Sequence, residues 1–229
     1  MDKGRNRRKF DLFRRIGMFD KCDGLIITKA NTKKELHTAY SLVHSIFVQK
    51  GYILPQPDGV RIRPYEYLPN TITFIAKIED SIVGVISIVP DTTEHKLPSD
   101  KAFSVELDLL RNEGRYVCEI TNLAIDSDYR NSGIFMELIR CCIAQYQYHK
   151  YTDTFISVSK THGSILESFI GFEPWGHCRN YNGVDTTIID PVEGKRLDLP
   201  KFKEKILAID IELENKGFLY DWFFASNPY

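Results

Sequence analysis

A chain of 229 residues, 43% hydrophobic and 27% charged, has the make-up of a globular protein and the length for a core that needs no covalent staples. Its 30 basic and 31 acidic residues leave a net charge of −1, which excludes bulk electrostatic attraction to nucleic acid. The longest apolar run, Ile82–Val89, is too short to span a bilayer, and five cysteines (Cys22, Cys118, Cys141, Cys142, Cys178) without a CxxC pair exclude a disulfide framework.

The odd cysteine count and the lack of an apolar signal-peptide core point to a reducing, cytoplasmic setting. Residues 1–23 read as a basic amphipathic arm. Lys3, Arg5, Arg7, Arg8, Lys9, Arg14 and Arg15 stand against Asp2 and Asp11, interleaved with Phe10, Leu12 and Phe13. Two readings stay open: a solvated, frayed helix, or a mobile arm that docks an acidic partner or covers an apolar substrate.

Residues 24–190 then alternate between strand and helix patterns. Gly24–Ala30 reads as a strand, and Asn31 as the N-cap of a helix through Leu36, Tyr40, Val43, Ile46 and Phe47. Gly51–Pro69 carries four prolines and reads as a long loop, of the kind that is usually functional or disordered. Thr71–Glu79 alternates as a strand, and with Ile82–Val89 it makes a hairpin around Glu79-Asp80-Ser81. Phe103–Arg111 is helical, Tyr116–Ile125 β-rich, Ser132 to about Lys150 a buried helix, Thr154–Ser159 a strand, and His162–Ile170 a helix stopped by Gly171. A last strand is expected at Val184–Ile189. Residues 191–229 supply an amphipathic helix (Phe202, Ile206, Ile209, Leu213) and an aromatic tail that covers the core, closes a tunnel or pairs subunits. The fold class is mixed α/β.

Two places in that order carry chemistry. Glu119 sits in an apolar strand, where a carboxylate is costly without a partner or a task. Burial raises a carboxyl pKa and makes a usable general base; the alternative is a Glu neutralised by Arg111 or Arg115. The junction Ile125-Asp126-Ser127-Asp128-Tyr129-Arg130-Asn131-Ser132-Gly133 opens a helix directly after that strand, which suits phosphate; an ordinary turn with a surface Arg is the other reading.

The arrangement resembles a GNAT-type N-acyltransferase over roughly residues 24–190. Arg130 and Gly133 match the family's donor motif, with Phe135 where Gly or Ala is usual; Gly171-Phe172 matches its helix end, with Glu167 where many members have a Tyr acid. One branch fits better: Tyr40–Tyr52, Arg61–Ala76, Val83–Asp91, Leu97–Arg111, Glu119–Ile125 and His162–Gly176 are similar to the FeeM-type long-chain N-acyl amino acid synthases and the acyl-homoserine-lactone autoinducer synthases. Glu119-Ile120-Thr121-Asn122-Leu123 lacks the autoinducer synthases' Arg, which argues against lactone synthesis.

The resemblance implies a twisted, mostly antiparallel sheet flanked by helices, an acyl thioester as donor and no resident cofactor or metal. It implies Glu119 as base, and a backbone N–H at Leu123 or Ala124 as oxyanion donor. Ile125, Arg130, Asn131, Ser132 and Gly133 would hold the donor's phosphopantetheine. Arg61, Arg63, Arg111, Thr121 and His162 are candidates for an amino-acid acceptor, and Tyr65 and Tyr67 would roof the site. Phe135 and the basic arm favour acyl carrier protein over CoA. Two other functions stay open: an acetyl-CoA-dependent small-molecule acetyltransferase, and a non-catalytic GNAT-like binding module.

Overall fold

The computed structural model describes residues 3–15, 19–20, 22–130, 132–180 and 191–225. Asn131 and the expected strand Val184–Ile189 lie outside these residues. In chain order the elements are α1 (Lys3–Arg15), β1 (Leu25–Lys29), α2 (Lys33–Gln49), β2 (Ile72–Ile78), β3 (Ser81–Pro90), α3 (Asp100–Asn112), β4 (Val117–Ile125), α4 (Ile134–His149), β5 (Asp153–Val158), α5 (Lys160–Phe169), β6 (Glu173–Arg179), β7 (Val192–Asp198), α6 (Leu199–Leu213) and α7 (Phe218–Tyr220).

The strands form one sheet in the order β1-β2-β3-β4-β5-β7-β6. Every pairing is antiparallel except β4 with β5. That one parallel pair is short, running from Val117–Glu119 against Asp153–Phe155. Beyond Glu119, β4 stays with β3 while β5 stays with β7, so the sheet opens between its two central strands.

Both faces of the sheet are covered. Phe74 and Ala76 point to one side with Ile86, Ile88 and the buried face of α4; Ile75 and Val85 point to the other with Ala39 and Val43 of α2. Phe74, Ile75 and Ala76 are all fully buried, so β2 is two-sided core, although its alternation reads as half-exposed. Gly84 permits the approach of α4: a Cβ there would stand 3.0 Å from the Ile134 side chain and 3.2 Å from that of Ala76.

Local chemistry fixes the helix ends. Thr32, not Asn31, caps α2: its hydroxyl accepts from the Glu35 N–H at 3.1 Å, and Glu35 accepts from the Thr32 N–H at 3.2 Å. The helix expected from Phe103 starts three residues earlier, at Asp100, and is kinked at Phe103 (φ −129°, ψ 31°). α1 is seated rather than loose. Phe13 is buried, and Phe10 and Phe19 meet Phe218 and Trp222 edge-on or tilted. Phe223 joins the main core cluster, so the aromatic tail covers the core.

β7 is missing from the sequence reading for a physical reason. Its segment Val-Glu-Gly-Lys-Arg-Leu-Asp looks like surface, yet Lys195 and Arg196 are buried. Lys195 pairs with Glu167 and Glu193, and Arg196 with Asp153 and Asp198, while the Arg196 guanidinium stacks 4.4 Å from the Trp175 ring centroid.

Candidate active site

The opening between β4 and β5 is a cavity of about 380 Å³, within the range of ligand pockets. Most of its wall is apolar: Ile46, Phe47 and Ile53 from one side, Ile156, Ile165 and Leu166 from the other. Polar groups gather along β4 and the loop after α2, where Glu119, Thr121, Asn122, Arg61 and Arg63 line it.

Glu119 is 2% exposed and pairs with neither Arg111 nor Arg115. Both of its oxygens face Ser99: the backbone N–H donates to Oε2 at 2.9 Å and the hydroxyl to Oε1 at 2.7 Å. Burial pushes its carboxyl up to about 7, against the downward pull of those two donors and of the more distant Arg63 charge. A base poised near neutrality is the result.

A β-bulge follows. Val85 opposes Ala124 and Ser87 opposes Thr121, so Asn122 and Leu123 together face one residue of β3. Asn122 takes the left-handed conformation (φ 55°), which Asn tolerates better than other non-Gly residues. The bulge disrupts the ladder here, where Leu123 and Ala124 line the cavity. It also turns Asn122 inward. Its amide donates to Glu66 at 2.9 Å and to Ser87 at 3.3 Å, while its carbonyl accepts from Arg61 at 2.5 Å.

Glu66 is the centre of a second buried group. Arg63 gives it a backbone N–H at 2.6 Å and two guanidinium contacts at 3.0 and 2.5 Å, and reaches Thr121 Oγ1 at 2.8 Å. Burial alone would raise Glu66, but Arg63, Arg61 and Asn122 outweigh it and hold the carboxyl below its ordinary value. The long proline-rich loop is thus an ordered wall, anchored by this network. Its two tyrosines do not roof the cavity: Tyr67 is 74% exposed, and Tyr65 stacks under Arg63.

Other expected site residues divide. Ile125, Arg130 and His162 line the cavity; Ser132 and Gly133 do not. The Ser132 hydroxyl donates to the Tyr129 carbonyl, and Gly133 starts α4 at φ 79°. His162 Nδ1 lies 2.9 Å from the Ser159 hydroxyl and 3.1 Å from that of Tyr52, and burial with nearby Lys50 lowers its pKa. Arg111 does not reach the cavity: Asp91, Asp100 and Asp108 all hold its guanidinium at 2.6–2.9 Å. Glu167, at the position where the resemblance places a Tyr acid, is held by Lys195 and does not line the cavity. Sequence reasoning missed Asn122, Glu66 and Ser99. The signal for the first was an Asn within an apolar strand; for the other two there was none.

The family model of N-acyl amino acid synthase FeeM matches residues 38–189. The chain belongs to the FeeM family. It is an N-acyltransferase with the GNAT-like fold. Its structure is similar to that of FeeM, an N-acyl amino acid synthase from uncultured soil microbes, with a TM-score of 0.65 at 20% identity over 79% of this chain and 93% of FeeM. BjaI, a CoA-dependent acyl-homoserine lactone synthase, aligns with a TM-score of 0.60 at 16% identity over 85% of this chain and 90% of its own. The AHL synthase LasI gives 0.57 at 15% over 76% and 90%. At these identities the likeness is one of fold. No curated protein matches the chain. Among the described residues of this FeeM-family chain no helix is long and apolar enough to cross a membrane.

Proposed function

We propose that this FeeM-family chain moves a long fatty acyl group from acyl carrier protein to the amine of an amino acid. The observation that carries the reading is the cavity's division. One end brings together a carboxyl poised near neutrality and two buried arginines, and most of the remaining wall is apolar, with Arg130 and His162 among its polar exceptions. An amine attacking a thioester must arrive unprotonated, and Glu119 takes its proton. A backbone N–H at the bulge, Leu123 or Ala124, stabilises the oxyanion. Arg61 and Arg63, with Thr121, receive the acceptor's carboxylate. Arg130 and the free N–H groups at the start of α4 hold the phosphate of the pantetheine arm, and Ile125, Asn131, Ser132 and Gly133 contribute to binding that arm.

An acetyl group would leave most of the apolar wall uncovered, which favours a long chain over acetyl-CoA. The carrier reading rests on charge: Arg7, Arg8 and Arg14 are exposed on α1, the face an acidic carrier would meet. Domain roles follow: 1–23 as the docking segment, 24–190 as the acyltransferase unit, and 191–229 as its packed C-terminal cover.

The test is mass spectrometry of organic extracts from cells expressing the wild type or Glu119→Gln. N-acyl amino acids should appear with the wild type alone, and their masses name chain and acceptor. Myristoyl-acyl carrier protein and myristoyl-CoA compared as purified donors test the carrier; turnover of the CoA form alone sinks it.

A further inference from the structure

Ser99 stands at the N-cap of α3 but does not cap it. Its backbone is helical (φ −74°, ψ −9°), and its hydroxyl makes no bond to the helix it precedes. A serine there would ordinarily satisfy one of the helix's free N–H groups, at a value of about 1 kcal/mol. This one instead faces Glu119 and lies 2.5 Å from the hydroxyl of Ser157. Ser99 is fully buried, whereas Ser157 is on β5 and lines the cavity. The segment is braced from behind: Asp100 accepts from the Leu97 N–H at 2.8 Å and is itself held by Arg111.

The direction of these bonds follows from proton count. An ionised Glu119 only accepts, and Ser99 has one hydroxyl proton. That proton goes to Glu119, so Ser157 donates to Ser99 and turns an oxygen lone pair toward the cavity. We propose that Ser157 and Ser99 form a two-hydroxyl relay carrying the proton of the attacking amine from the cavity to Glu119.

The inference rests on the reading of Glu119 as base. As the amine nitrogen bonds to the thioester carbon, it gives a proton to Ser157. Ser157 passes its own proton to Ser99, and Ser99 passes its own to Glu119 Oε1. The C–S bond then breaks, its electron pair leaves on sulfur, and the proton on Glu119 returns through the same hydroxyls to the thiolate. Amine and thioester become amide and thiol with protons balanced and no redox change. The return path supplies the acid that Glu167, held by Lys195 away from the cavity, does not. Ser157 is the catalytic member and Ser99 a positioning residue. The charged groups acting on Glu119 are Arg63 from the loop after α2 and Asp100 at the start of α3.

The experiment uses the full chain with myristoyl-acyl carrier protein and an equimolar mixture of the proteinogenic amino acids other than cysteine, following thiol release in H₂O–D₂O mixtures. Ser157→Ala should lose about 100-fold in kcat, the low end for a positioned proton acceptor. Its rate should fall linearly with deuterium fraction, where the wild type, with several protons in flight, gives a bowed curve. Ser157→Thr, which keeps a hydroxyl, should recover most of the loss. Ser99→Ala is read by ¹³C NMR of labelled glutamate. Losing one donor in a dry site moves the Glu119 titration upward, whereas mere opening of the site to water would move it down toward its ordinary range. Ser157→Ala within about twofold of wild type, with the bowed curve intact, overturns the relay and leaves Glu119 taking the proton directly. Turnover retained by Glu119→Gln overturns the base assignment itself, and the relay with it.

Discussion

Glu119 and Glu66 are both buried beside the same cavity, and they are pushed in opposite directions. Glu119 is surrounded by serine and apolar side chains, and burial raises it to about 7. Glu66 is gripped by Arg63 and faced by Arg61 and Asn122, and it stays below its ordinary value. Burial is nearly the same (2% and 7% exposed), so the partners decide the charge. Neutral donors leave a carboxyl able to gain and lose a proton near pH 7. A guanidinium fixes it as an anion, fit to position other groups and unfit for base chemistry. One side of the cavity thus holds a reactive acid on β4 and, behind its wall, a structural one that is bonded by Asn122 of the same strand.

The largest expected effect separates their catalytic roles. Glu119→Gln keeps shape and removes basicity, and turnover should fall about 10²–10⁴-fold in the acyl-transfer assay. In the wild type kcat/KM should rise with pH through an acidic limb near 7, which the variant lacks. Stability should move the other way. A carboxyl raised in the fold binds its proton more tightly there than in the unfolded chain, so its contribution falls as pH rises from about 4.5 to about 7. At pH 8 Glu119→Gln should therefore be more stable than wild type by about 1–3 kcal/mol in urea titrations. A less stable variant would refute the assignment of Glu119 as the strained member of the pair.

Glu66→Gln should do the reverse. It strands the Arg63 charge in the interior, a loss of about 3–5 kcal/mol when one partner of a buried pair is removed. The stability Glu66 supplies is present above the ordinary glutamate pKa and is lost as pH falls through its lowered folded value, so the variant's deficit should shrink in acid. A third test concerns ligand rather than fold. Arg61→Met should raise KM for the acceptor amino acid about tenfold, with little change in kcat and little change for the corresponding amino acid amide, as removal of one charge-assisted bond predicts. Equal losses for acid and amide would remove the carboxylate from this end of the cavity.

The two regions differ equally in legibility. Glu119 shows in sequence because a carboxylate breaks an apolar strand, and the strand, the turn into α4 and the helical periods around it follow from local pattern. Glu66 does not show: in Arg-Pro-Tyr-Glu-Tyr it reads as one more charge in a proline-rich loop. Its burial depends on Arg63 three residues before it and on Asn122, distant in sequence. Arg111 misled for the same reason. Its charge looked available, and only the fold brings Asp91 and Asp100 to it. β7 is hidden because its buried charges are neutralised by Glu167, Asp153 and other partners remote in the chain. Period and composition report a residue's own preference; pairing across the fold does not appear in them.

Asn122 offers the smallest effect and the finest distinction, because it shares β4 with Glu119, bonds Glu66 and carries backbone strain as well. Asn122→Gly removes the side chain at a φ that glycine adopts freely, so it reports the lost bonds to Arg61, Glu66 and Ser87: about 1–3 kcal/mol for polar groups left short of a partner. Asn122→Ala loses the same bonds and adds about 1 kcal/mol of left-handed strain. The alanine variant should therefore be the less stable of the two in thermal unfolding. Both should raise KM for the acceptor, because Arg61 and Glu66 lose their common anchor. Neither should move the acidic limb of kcat/KM, since the donors to Glu119 come from Ser99 and not from the bulge. If the limb moves with Asn122, the two regions titrate as one unit, and the division between a reactive and a structural carboxyl does not hold.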